Sequence, residues 1–88
     1  MTMEIESFYA VHVFYGIRNC FMHYKKGGGF VDTMDVLEAE RFSSEEEAIK
    51  FIGKDEDARE YVSSRNGAFV CVSKVSLSAR ISTCAKIA

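Results

Sequence analysis

The side chains that could do chemistry are few. His12, His23, Cys20 and Cys71 would be the ligands of any zinc site. Zinc needs about four converging nitrogen or sulfur ligands, usually in short paired spacings. The cysteines, Cys20, Cys71 and Cys84, show no Cys-x-x-Cys pair, and strand parity turns Cys20 away from both histidines. The histidines therefore read as strand residues with their hydrogen bonds met, and no metal or other cofactor is expected. Nucleophilic catalysis needs a thiol or hydroxyl beside an oriented base. No Gly-x-Ser-x-Gly elbow is present, and the cysteines read as small core residues. The acidic runs Glu45-Glu46-Glu47 and Asp55-Glu56-Asp57 fall at helix starts, where capping accounts for them. Gly27-Gly28-Gly29 is not a phosphate loop, because neither Lys-Ser/Thr nor a helix follows it. No enzymatic activity is expected.

Charge and composition narrow the partners. The chain has 88 residues, nearly half of them apolar, and a net charge of −2. That is enough for one domain with a thin core. Residues 32–60 hold eleven acids against four bases, or −7, and the remainder holds two acids against seven bases, or +5. Such a dipolar surface can steer a partner of opposite sign. An odd number of cysteines without framework spacing fits a reducing compartment. No signal-peptide pattern and no long apolar run are found, so a cytoplasmic protein without membrane contact is expected. Phe14 and Phe21, followed by Lys25 and Lys26, could stack bases on a sheet face. The sequence pI of about 5.6 opposes backbone-driven affinity, so direct nucleic-acid binding is not expected.

The elements that must position these residues follow from local pattern. Residues 8–15 are aromatic and β-branched and predict a strand; residues 20–24 predict a second. A symmetric turn at residues 16–19 would place Tyr15 opposite Cys20, Phe14 opposite Phe21, Val13 opposite Met22, His12 opposite His23 and Val11 opposite Tyr24. Val11, Val13 and Met22 then share a core face. His12, Phe14, Phe21 and His23 share the other, half-buried face. After the glycine loop, residues 30–42 predict a third strand, surest over 36–42.

The helix start is sharper. Ser44 and Glu47 form a capping box in which Glu47 reaches back to the Ser44 amide. Ala48, Ile49, Phe51 and Ile52 make the apolar stripe. Gly53 can end the helix and Asp55 can cap a second one, ended by Asn66-Gly67. Residues 68–72 predict a central strand. From Val75 the pattern alternates, with Val75, Leu77, Ala79 and Ile81 on one side. The fold class is therefore α+β: an antiparallel sheet of about four strands with one or two helices on one face, in the order β-β-β-α-(α)-β. Residues 1–82 form the domain and 83–88 a flexible tail.

Residues 37–52, Leu37-Glu38-Ala39-Glu40-Arg41 leading into Phe42-Ser43-Ser44-Glu45-Glu46-Glu47-Ala48-Ile49-Lys50-Phe51-Ile52, resemble a strand-to-helix joint of small bacteriophage proteins, anti-CRISPR proteins among them. The resemblance implies an inhibitor acting in a host cytoplasm, and no family functional residue carries over. With the charge pattern, it leads to the expectation of a non-enzymatic binder of a larger bacterial protein or ribonucleoprotein complex. The contact residues would be His12, Phe14, Phe21 and His23 on the sheet and Glu46, Asp55, Glu56 and Asp57 on the helices. A homo-oligomeric accessory domain, such as a homodimer, and a single-stranded nucleic-acid binder are the alternatives.

Overall fold

A computed structural model describes residues 5–78. Four strands, β1 (Ile5–Phe14), β2 (Asn19–Tyr24), β3 (Phe30–Thr33) and β4 (Phe69–Ser78), form one sheet in the order β3-β2-β1-β4. Every neighbouring pair is antiparallel. Between β3 and β4 lie a single 3-10 turn, Val36–Glu38, and two helices, α1 (Glu45–Lys54) and α2 (Glu56–Ser63). The α+β class is as expected. The expected tail at residues 83–88 lies outside the described residues, as do Ala79 and Ile81.

The β1–β2 hairpin closes more tightly than symmetric closure would have it. His12 faces Phe21, Val13 faces Cys20 and Phe14 faces Asn19, so the register differs by two places from the expected one and His12 does not face His23. The reason is local. Gly16, at φ 97°, and Ile17 make the turn alone, and the Tyr15 amide donates to the Arg18 carbonyl at 2.9 Å. Glycine tolerates positive φ in such two-residue turns. A shift of two preserves parity, so the two faces survive it. Val11, Val13 and Met22 are fully buried on the helix side, with Ala48, Ala58, Phe42 and Tyr61.

Residues 36–42 are not a strand. They leave β3 at Thr33, pass through the 3-10 turn capped by Asp35, and return to the sheet as a wedge. The β1–β2 ladder ends at His12↔Phe21. Beyond it, the Glu40 amide donates to the Met22 carbonyl at 2.8 Å. Phe42 and Tyr9 exchange both backbone bonds at 2.8 Å each. Residues 40–42 thus satisfy strand edges that would otherwise be buried without partners, a costly arrangement. The Phe42 ring packs on Phe51 at 5.4 Å between centroids. Burying one such side chain contributes about 2–3 kcal/mol.

The helical layer follows the capping chemistry with one change. Ser44 Oγ accepts from the Glu47 amide at 3.0 Å, while the Glu47 carboxylate accepts from the Ser43 amide and hydroxyl rather than from Ser44. Asp55 ends α1 through its amide, which donates to the Phe51 carbonyl, and starts α2 by accepting from the Ala58 amide at 3.0 Å. There are accordingly two helices. Ile49, expected in the apolar stripe, is exposed, because contact with the sheet runs through Ala48, Phe51 and Ile52. Residues 68–72 are not a central strand. From Phe69 onward they begin β4, which runs the full length of β1 and forms a sheet edge.

Candidate functional site

The helices cover one face of the sheet. The second face divides in two. At one end, the loop carrying the 3-10 turn lays Val36 and Ala39 over Phe8, Ala10, Phe21 and Val75. Arg41 stacks on Phe8, its guanidinium carbon 4.3 Å from the ring centroid. His23 Nδ1 lies 2.7 Å from the Glu38 carbonyl, so it donates there and pins the loop. The other end has no such cover among the described residues. Phe14 and Phe69 face one another across β1 and β4, 38 % and 65 % exposed.

His12 sits at the boundary. Its ring stacks on Phe21, centroids 4.9 Å apart, and meets Phe14 edge-on at 6.5 Å. Nε2 is 2.7 Å from Asn19 Oδ1, and Nδ1 is 2.9 Å from Ser73 Oγ. Cys71 Sγ is 3.6 Å from the same hydroxyl. A carbonyl oxygen can only accept, so Nε2 carries a proton toward Asn19.

A second polar cluster lies on the helix side. The Asp32 carboxylate of β3 accepts from the Tyr15 hydroxyl at 2.7 Å, from the Tyr61 hydroxyl at 2.6 Å and from Arg65 Nε at 3.0 Å. The Arg65 guanidinium carbon sits 3.9 Å from the centroid of the Tyr61 ring. Burial pushes the Asp32 carboxyl up, but the hydrogen bonds from Tyr61 and Tyr15 and the Arg65 charge outweigh it and hold it below the usual carboxylate range. Burial, and then the bond to Asp32, push the Tyr61 phenol up. This cluster joins the hairpin turn, β3 and α2.

The eight residues singled out from sequence fall into two groups. His12, Phe14 and Phe21 come together on the second face, with Phe21 buried beneath His12. His23 shares that face but is engaged by the loop. Glu46, Asp55, Glu56 and Asp57 lie on the helical layer, on the opposite side of the sheet. Glu46, Glu56 and Asp57 are exposed, whereas Asp55 is half-buried and capping. The Arg65–Asp32 pair is the ion pair among the described residues, so the exposed helix acids are not neutralised by contact.

Sequence reasoning missed Asn19, Phe69 and Ser73, and weighed Cys71 only as a zinc ligand or small core residue. The alternation recognised from Val75 onward, carried backward, places Ser73, Cys71 and Phe69 on the Val75 side. Their pairing with Ala10, His12 and Phe14 depends on a long-range register. Comparison with protein-family models finds no match, and comparison with curated proteins and with solved structures finds none either.

Proposed function

We propose that this domain is a protein-binding inhibitor that docks on a larger nucleic-acid-binding protein or complex, in the manner of anti-CRISPR proteins. The observation that carries the reading is the exposed, unneutralised acidic surface of α1 and α2, formed by Glu45, Glu46, Glu56, Asp57 and Glu60. A surface with more carboxylates than bases can occupy a basic groove that otherwise holds phosphates, and long-range attraction speeds such an encounter. The exposed Phe14–Phe69 pair offers an apolar contact on the other side of the sheet.

The test is a tagged capture from lysate, followed by competition of the captured protein with its own nucleic acid. Reversing Glu46, Glu56 and Asp57 to lysine, with the Asp55 cap left intact, should abolish capture without changing the circular dichroism. Displacement of nucleic acid by the parent domain but not by the variant supports the reading. Equal capture by both proteins overturns it.

The homodimeric alternative is favoured by one feature, the β4 edge. Tyr9 bonds on its β2 side, so even-numbered β1 residues face β4 and bond its odd-numbered residues. The backbone groups of Val70, Val72, Lys74 and Ser76 then point away from β1. Such an edge can add a strand from a second copy. Sedimentation at micromolar concentration, with Val72→Pro as the variant that breaks the edge, distinguishes a dimer from a monomer.

A further inference from the structure

We propose that Ser73 is an activated hydroxyl, a nucleophile for ester substrates with an apolar acyl chain. The relay on the second face has the required order. Asn19 Oδ1 fixes the proton of His12 on Nε2 at 2.7 Å. That leaves the Nδ1 lone pair facing Ser73 Oγ at 2.9 Å. The hydroxyl therefore donates to the imidazole, and the Cys71 thiol lies 3.6 Å from the same oxygen. A nucleophile, a base and a group orienting the base are thus joined by hydrogen bonds. The nitrogen facing the hydroxyl is Nδ1, the reverse of the arrangement in the chymotrypsin-type triad, where Nε2 faces the serine.

Three further features suit an acyl substrate. The imidazole plane is set by stacking on Phe21 at 4.9 Å, which limits its rotation. Phe14 and Phe69 expose apolar surface on the same face, where an acyl chain would bury area. The backbone amide of Lys74, next in sequence after Ser73, is directed to the open edge of β4 rather than to β1. The amide after the nucleophile also supplies an oxyanion donor in the α/β hydrolases.

The chemistry balances without a co-reactant other than water. Ser73 Oγ bonds to the acyl carbon as its proton passes to His12 Nδ1. The ester C–O bond breaks, and His12 gives that proton to the departing alcohol. Water then adds to the acyl carbon and yields a proton to Nδ1. The Oγ–acyl bond breaks, the proton returns to Oγ, and a carboxylic acid leaves. This reading does not depend on the inhibitor reading.

The probe is p-nitrophenyl butyrate, run with the unaltered protein as the parent, and acid-quenched digests separate acylation of Ser73 from acylation of the half-buried Cys71 thiol. The expected result is nitrophenolate release that Ser73→Ala abolishes. His12→Gln should slow it by about 100-fold or more, the scale of general-base assistance. Acid-quenched digests should carry any trapped butyryl group on Ser73. If His12→Gln fails to fold by circular dichroism, Asn19→Ala replaces it; that variant frees the tautomer and should slow release by about 10-fold, within the range of removing one hydrogen bond to a functional group. No release by the parent, release that survives Ser73→Ala, or full release by a folded His12→Gln or Asn19→Ala protein overturns the proposal.

Discussion

The two faces of the sheet use the same strands to opposite ends. The helix-side face is closed by apolar packing and by the Asp32 cluster, which reaches from the hairpin turn through β3 to α2. The second face is closed at one end only, and its His12 relay joins residues on three adjacent strands that backbone ladders already hold together. Polar bonds that cross between layers hold separate elements in place. Polar bonds within one sheet face hold little that the ladder does not, so their residues are free to serve binding or chemistry. The contrast makes stability and function separable by mutation.

The largest effect should come from the closed face. Phe42→Ala removes the ring of the wedge from beneath Phe51 and should cost about 3–5 kcal/mol, the range for a buried phenylalanine. Urea unfolding checks it, and a loss below about 1 kcal/mol would show that the neighbourhood repacks. Next comes Asp32→Asn, which keeps the shape but gives up the charge that Tyr15, Tyr61 and Arg65 surround. A loss of about 1–3 kcal/mol is expected, from the strength of hydrogen bonds to charged groups.

The same aspartate carries an acid dependence. Its folded carboxyl lies below its ordinary value, so its contribution is complete above the unfolded carboxyl's pKa, about 3.9. The contribution is lost as pH falls through the lower folded value. The stability difference between parent and Asp32→Asn should therefore shrink as pH is lowered through that window, and a difference independent of pH would remove the carboxylate from the explanation. The smallest effect belongs to the open face. Phe69→Ala should change stability by no more than about 0.5 kcal/mol, as for surface positions. A larger loss would mean that this ring is covered in the native protein, and the contrast between the faces would fail.

Much of the closed face was legible in the sequence. Val11, Val13 and Met22 alternate cleanly, and parity assigned them to one side even though the hairpin register was two places out. Ser44 and Asp55 announced both helix starts, because capping is a short-range matter of side-chain reach. The third strand was misread because residues 36–42 are as apolar as a strand, yet Asp35 caps a 3-10 turn and only Phe42 makes a reciprocal backbone bridge. Phe14 and His12 were visible as strand residues of interest. Their partners Phe69, Ser73 and Asn19 were not, because their assembly needs the β1–β4 register and the two-residue turn at Gly16-Ile17, neither of which local spacing fixes. Asp32 was counted as one acid among eleven; its role depends on Tyr61 and Arg65, far along the chain.

The wedge at residues 40–42 has a consequence for how the chain reaches this structure. The hairpin can zip from Gly16-Ile17 only as far as His12 and Phe21. Past that rung its strands await a segment that must first leave β3 and double back, so closing it carries the entropy of a longer loop. The expected order of events is turn first, insertion later. In pulse-labelled hydrogen exchange during refolding, the Tyr15 amide should gain protection before the amides of Tyr9 and Phe42, which should become protected together.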